Sequence, residues 1–295
     1  MINKEVEGQH LGGGVVLYEA AVDFDFDFAT DTCREIVDRE RSAMYEMVTH
    51  PETKREMYLN KSGYYFEKED IDQMPGRGSS AHQDSRSEVK DLLDFLEKSK
   101  DHYLLKYFEM FPLAFKCVWW KVKSHIVSYE KNIYLGTHSD ISADYVYGLQ
   151  IPMDQLMTRS IISVIVYFND SVDLESELDG KNFTGGHHYF NYLDIDYQPK
   201  RGDILFFPSN YMAAHEVKPV GAGTRFSYLG WYSQGTPNKE VGEAVVDPLQ
   251  DPEAANGSTN LYMPELISDY KKFLIDRGHS KSSDQYSLIE SGKGY

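Results

Sequence analysis

From residue 115 to 234 the chain is written in short runs: FKCVWWKVKSHIVSYE, RSIISVIVYFND, GGHHYFNYLD, GDILFFP and TRFSYLGWY. They are rich in β-branched and aromatic side chains and are broken by Gly, Pro, Asn and Asp, which suits pleated, half-buried strands that keep turning back. The pattern predicts an all-β barrel or double sheet over this stretch. Helical signals lie outside it. TDTCREIVDRERSAMYEMV, with Thr32 and Glu35 at capping-box spacing, predicts a helix over about 31–49. SEVKDLLDFLEKSKDHYLLKYFEMF places Val89, Leu92, Leu93, Phe95 and Leu96 at helical spacing and stops before Pro112. PELISDYKKFLIDR predicts a further helix over 264–277, with Gly278 just behind it. GGGVVLYEAAVDFDF reads as a strand with a loop, and DFDFDF alternates with strand period. Residues 50–86, polar and centred on PGRGSS, read as a long loop; the acidic stretch after 234 reads as irregular; SKSSDQYSLIESGKGY reads as a frayed end. Helices first and strands later predict an α+β fold in one domain. Residues 1–114 form an amino-terminal support, 115–235 the barrel and 236–295 a carboxy-terminal extension.

Composition excludes several functions. No run of 18 apolar residues occurs, so no membrane span is expected, and MINKEVEGQH carries charge where a signal peptide needs an apolar core. Cys33 and Cys117 are too few for a disulfide framework or a Cys-rich zinc site, and the expectation is a cytoplasmic protein. The net charge of −17 opposes binding to a polyanion, so nucleic acid is not an expected partner.

Within YEKNIYLGTHSDISADY stand His138 and Asp140, one residue apart. Ten histidines among 47 acidic residues in 295 produce this spacing roughly once or twice by chance, and His50/Glu52 and His82/Asp84 repeat it. Context separates the three. His82/Asp84 sits in polar GRGSSAHQDSRSE, whereas His138/Asp140 follows a strand ending in KNIYLGT, so that both side chains can project from a rigid rim. Two ligands leave a divalent ion under-coordinated. A second histidine would complete a two-His, one-carboxylate set with open positions, the arrangement suited to non-haem Fe(II). His279 lies near the frayed end. His187 and His188 follow Gly185-Gly186, where they can face solvent, substrate or metal. His215, between two strands at the rim, is favoured.

The string GDILFFPSNYMAAHEVKPVGAGTRFSYLGWY resembles the last barrel strands of the prolyl 4-hydroxylase-like branch of the Fe(II)/2-oxoglutarate dioxygenases. That pattern sets a distal metal His, a Pro-Val, a Gly, a basic residue nine or ten positions beyond the His, and a Trp. His215, Pro219-Val220, Gly223, Arg225 and Trp231 fill it. Tyr129 stands nine residues ahead of His138, as in the family, and Asn132 replaces a family Gly; Asn tolerates positive φ better than other non-Gly residues. VIVYFND resembles the Tyr-Leu-Asn strand and TGGHHYF the Gly-Gly strand that follows, although thirteen residues, DSVDLESELDGKN, intervene where the family has a shorter turn.

The resemblance covers about 115–235 and implies a double-stranded β-helix (jelly-roll, cupin-like) core. It implies Fe(II) on His138, Asp140 and His215, with 2-oxoglutarate held by Arg225, Tyr167 and Tyr129, dioxygen as oxidant and ascorbate as a candidate reductant. The implied reaction hydroxylates an unactivated C–H bond of a prolyl residue, or of a free amino acid or other small metabolite, releasing succinate and CO2. Related halogenases carry a small residue in place of the carboxylate, so Asp140 points to hydroxylation. The alternative is a catalytically silent barrel that binds a ligand or a protein. Residues 50–86 and 170–182 are candidate lids.

Overall fold

A computed structural model of the chain describes residues 1–140, 160–233, 260–263 and 265–290. The acidic connector expected after residue 234 and the end beyond 290 lie outside these described residues. The amino-terminal third contains β1 (Gln9–Gly12), β2 (Val15–Tyr18), α1 (Phe26–Met44), β3 (Tyr45–Thr49), β4 (Glu56–Asn60), β5 (Tyr65–Glu67), α2 (Lys68–Asp72), β6 (Gly76–Gly78), α3 (Ser87–Met110) and α4 (Pro112–Cys117). The barrel strands are β7 (Trp120–Tyr129), β8 (Leu135–His138), β9 (Ser160–Tyr167), β10 (Ser171–Val172), β11 (Phe183–Gly185), β12 (His188–Phe190), β13 (Ile195–Tyr197), β14 (Ile204–Pro208), β15 (His215–Val217), β16 (Val220–Ala222) and β17 (Arg225–Ser233). β18 (Asn260–Tyr262), α5 (Leu266–Asp276) and α6 (Asp284–Glu290) close the described chain.

The barrel is a double-stranded β-helix. Its larger sheet runs β1-β2-β14-β9-β17-β7-β18, with β6 also on β7; β13-β12-β15-β8 and β10-β11-β16 form the opposing layer. Period-two alternation decides what each face meets. Val164, Val166, Ile204, Phe206 and Tyr228 turn outward and pack with Ile36, Leu93, Leu104 and Phe108 of α1 and α3. Their alternates Ile165, Tyr167, Leu205 and Phe207 turn inward against Phe190 and Tyr197. β9 and β14 are thus buried on both faces, which is why their sequences read as unbroken apolar runs.

Between α3 and the outer face lies a buried charge network. The Lys100 ammonium, 1% exposed, donates to Glu97 Oε1 at 2.8 Å and to the Ser124 hydroxyl. Lys121 reaches Asp101 at 2.8 Å and Glu97 at 3.3 Å, and the Tyr228 hydroxyl donates to Glu97 at 2.8 Å. Burial works against an ionised Glu97, but the two lysines outweigh it and hold the carboxyl well below its usual range.

Several expectations fail for identifiable reasons. The first helix is shifted: Asp25, not Thr32, accepts the Phe28 N–H at 2.9 Å and caps α1, while Thr32 is buried inside it. DFDFDF is therefore divided between a cap and a first turn instead of forming a strand, and Phe24 stacks on Phe26 at 4.2 Å. The helix ends at Met44 because aromatic and β-branched YEMVT pairs with β4. Residues 50–86 are not a long loop: they complete the β3-β4-β5 sheet and supply α2 and β6. The expected frayed end contains α6, whose Tyr286 and Ile289 are buried against the main core. FKC, placed with the strands, is the last turn of α4. Residues 170–182 are tied to the start of α1 by Lys181 on Asp27 and closed by bonds from Asn182 to Glu177 and Asp179 to Asn182. Among the described residues no helix is long and apolar enough to cross a membrane.

Removing one member of the Lys100–Glu97 pair leaves a buried charge unmatched. Glu97→Leu is expected to cost about 3 kcal/mol, and pairing it with Lys100→Met to recover most of the loss. Thermal unfolding of the two variants checks this.

Candidate active site

β8 and β15 pair antiparallel with His138 directly opposite His215, so the backbone register alone brings the two rings to 4.4 Å. Each Nδ1 donates to a carbonyl two residues back: His138 to Gly136 at 2.8 Å, His215 to Ala213 at 3.0 Å. These bonds fix the tautomers and leave both Nε2 lone pairs free to face the same point. Asp140, just beyond β8, brings Oδ1 to 3.4 Å from His138 Nε2 and 3.8 Å from His215 Nε2. One donor atom from each of the three lies within 4.8 Å of the others.

Asp140 Oδ2 turns the other way and accepts from the Ser163 hydroxyl, which sits 2.8 Å from Ser209 Oγ. Burial works against the Asp140 anion, but His138, His215, Ser163 and Trp231 hold the carboxyl down at about 2. Burial also lowers His215. His138 is less deeply set; against the effect of burial, its bonds to Asp140 and the Gly136 carbonyl raise it. An ionised carboxylate and two imidazole lone pairs, with His138 at 31% side-chain exposure on the open side, could hold a divalent cation of Fe(II) type.

Deeper in, Arg225 is 1% exposed, and its Nε and Nη2 find no hydrogen-bond partner among the described residues. The guanidinium lies 4.9 Å from the Tyr129 ring and 5.3 Å from the Tyr167 ring, aromatic faces that stabilise a cation without neutralising it. A buried charge so poorly matched costs several kcal/mol unless an anion joins it. The pocket therefore fits a carboxylate ligand.

The sequence left His187 and His188 open between several orientations. Gly185 and Gly186, at φ +68° and +61°, make the turn that decides; a Cβ on Gly185 would meet the Pro219 carbonyl oxygen at 2.5 Å. After it His187 faces out and bonds Asp196 at 3.2 Å. His188 faces in, 1% exposed, stacked at 24° and 4.8 Å on His215. Its Nδ1 is 3.3 Å from the Tyr167 hydroxyl and its Nε2 has no partner among the described residues. Burial holds this imidazole well below its usual pKa, hence neutral.

The other H-x-acid pairs serve the fold. His50 Nδ1 accepts the Glu52 and Thr53 N–H groups at 3.2 and 3.1 Å. His82 Nε2 bonds the Ser124 carbonyl at 2.8 Å, while Asp84 binds Arg86 and Arg39 at 2.8 and 3.3 Å. His279 is taken by Glu109 at 2.7 Å. Asn132 adopts φ +69°, as its substitution for glycine implies. Ser163 was missed, although a signal existed: it shares the period-two face of Tyr167 and is a hydroxyl in an otherwise apolar run.

Residues 124–233, the greater part of the barrel, match the family described as the 2OG-Fe(II) oxygenase superfamily. No curated protein sequence matches the chain. Among solved structures, similarity extends to the viral collagen prolyl hydroxylase of Paramecium Bursaria Chlorella virus-1 (14% identity, 76% of this chain and 97% of that one, TM-score 0.43). It extends also to a Pseudomonas putida prolyl-4-hydroxylase (18%, 75% and 93%, TM-score 0.42). A third is a Trichoplax adhaerens prolyl hydroxylase in complex with a hypoxia inducible factor peptide fragment (13%, 80% and 88%, TM-score 0.45).

Because Ser163 orients Asp140, Ser163→Ala is expected to weaken Co(II) or Fe(II) binding about tenfold. The fold should be unchanged. Competition with a chromophoric chelator, alongside circular dichroism, reads the two effects separately.

Proposed function

We propose that this chain is an Fe(II)- and 2-oxoglutarate-dependent hydroxylase in which His138, Asp140 and His215 hold the iron and Arg225 receives the far carboxylate of 2-oxoglutarate. The observation that carries this reading is one barrel containing both a two-imidazole, one-carboxylate donor set and a buried guanidinium whose Nε and Nη2 have no partner among the described residues. When bound, iron and 2-oxoglutarate supply the oxidising power: dioxygen is reduced, the cosubstrate leaves as succinate and CO2, and a substrate C–H becomes C–OH.

The protein's own groups set the conditions. The Gly136 and Ala213 carbonyls accept the two Nδ1–H groups and so turn Nε2 of each ring toward Asp140. Ser163 holds Asp140 ionised and oriented. Arg225 offers a planar fork to a carboxylate, with Tyr129 and Tyr167 closing on it and His188 Nε2 available as a neutral donor or acceptor. Phe190 and Phe207 pack around His215 and His188 and exclude water from the inner side. The retained carboxylate at Asp140 supports hydroxylation. The substrate proposed is a prolyl residue or a free amino acid or similar small molecule, following the sequence resemblance; ascorbate is the proposed reductant for iron and the cytoplasm the proposed location.

Anaerobic protein with Fe(II) and 2-oxoglutarate is expected to develop a weak visible charge-transfer band, and its absence would leave only a ligand-binding barrel. Asp140→Gly should abolish succinate formation. Arg225→Ala should raise the 2-oxoglutarate requirement about 100-fold or more, since each charge-assisted bond contributes roughly 1.5–3 kcal/mol, while metal binding persists. A titration of the band with 2-oxoglutarate distinguishes these outcomes.

A further inference from the structure

Of the ten arginines in the chain, nine lie among the described residues. Seven of these nine pair with a carboxylate: Arg34, Arg39, Arg41, Arg55, Arg86, Arg201 and Arg277. With 47 acidic residues against 30 basic ones, pairing is the default. Two arginines have no carboxylate among the described residues, Arg225 and Arg77. They stand on the same face of the same sheet.

Arg77 is the central residue of β6 and pairs with Val127 of β7, which pairs with Ser227 of β17, which pairs with Tyr167 of β9. Directly opposed residues of antiparallel strands share a face, so this row places Arg77 on the interior face that carries Tyr129, Tyr167 and Arg225. Its neighbours dictate the same orientation. A Cβ on Gly76 would lie 2.4 Å from Val37, and one on Gly78 3.0 Å from Ile36. Only glycine on both sides lets β6 lie this close to α1, so the one side chain in Gly-Arg-Gly goes to the other face. The charge of Arg77 is felt at His125, Tyr129 and His138. Unlike Arg225, Arg77 is exposed, on a short strand paired to β7 alone.

We propose that Arg77 is a substrate-recognition residue that binds a carboxylate on the molecule to be hydroxylated, so that the substrate class is anionic: a free amino acid or small acid, or a peptide with an acidic side chain near the target residue. The inference rests on the hydroxylase reading for its context. Arg225 is too deeply buried to serve two anions, and the cosubstrate carboxylate would neutralise it. Arg77 then remains, among the described residues, as the uncompensated cation of that face, exposed and near enough for its charge to be felt at His138. Held by Arg77, a carboxylate would anchor one end of the substrate and leave the other to reach the open side of His138.

The test uses matched pairs differing only in charge: L-proline against L-prolinamide, and N-acetylated, C-amidated proline peptides with Asp against Asn beside the proline. Binding is measured by calorimetry on the full chain, first without added metal and then with Fe(II) and 2-oxoglutarate under argon; stimulated succinate release is measured in air. The acid members are expected to bind roughly tenfold tighter than their neutral partners. Arg77→Gln should abolish that preference, Arg77→Lys should restore part of it, and Arg77→Glu should reverse it. Preference within the proline pair identifies a free acid, and within the peptide pair an acidic peptide. If acids and amides bind equally in both states of the wild type, or if Arg77→Gln keeps the preference, Arg77 is not the anion seat. The charge-transfer band is scored in the same samples, so loss of the hydroxylase reading is seen independently of the charge preference.

Discussion

The site depends on one piece of backbone pairing. His138 and His215 are opposite residues of β8 and β15, and the ladder that joins the two strands sets the distance between the imidazoles before any side chain chooses a rotamer. A slip of one residue would send either ring to the outer face, because successive side chains alternate. Neighbouring features hold the register. β12 pairs with β15 on its other edge and sets Phe190 opposite His215, while the Gly185–Gly186 turn delivers His188 into a stack on the same ring. Asp140 needs to bring only one oxygen to a position that the strands have already defined, and Ser163 secures its other oxygen.

Buried polar groups on the two sides of the larger sheet play different parts. On the outer face, beneath α3, Lys100, Glu97, Lys121, Asp101, Tyr228 and Tyr232 satisfy one another through short, charge-assisted bonds. A buried network of this kind fixes where the helix sits. On the inner face Arg225, and from the opposing layer His188, keep polar atoms without partners among the described residues, although both are 1% exposed. Such local violations of polar pairing are expected where a ligand completes the bonding.

How the candidate site's residues come together was partly legible: spacing and context pointed to the histidines and Asp140, the family resemblance to Arg225. His138 and Asp140 stand at a strand end, His215 opens the next rim strand, and Arg225 begins β17. The barrel's location from composition was similarly direct, since β9 and β14 need apolar residues on both faces. The rest depended on tertiary context. Thr32 and Glu35 carry the spacing of a capping box, yet Asp25 caps because the Phe24–Phe26 contact starts the helix earlier. β3, β4 and β5 are short and half exposed, so their sequences lack the apolar alternation that marks a covered strand. The direction of His188 is set by two positive-φ glycines, and that of Arg77 by the contact of Gly76 and Gly78 with α1; neither is visible from residue type alone.

The acidic balance of the chain poses a problem for a site that must admit anions. A net charge of −17 repels 2-oxoglutarate at long range and attracts a divalent cation. At physiological ionic strength, however, charges farther apart than about 8 Å are largely screened. What an entering carboxylate meets is therefore the local arrangement. Elsewhere among the described residues, arginines are cancelled by neighbouring carboxylates, from Arg34 on Asp31 to Arg277 on Glu7. On the interior face the cancellation is withheld at Arg225 and Arg77, and the single carboxylate of the metal cluster is engaged by two imidazoles and a serine. A barrel can thus be locally cationic inside a strongly acidic protein, because among the described residues unpaired guanidiniums stand only where the strands turn them inward.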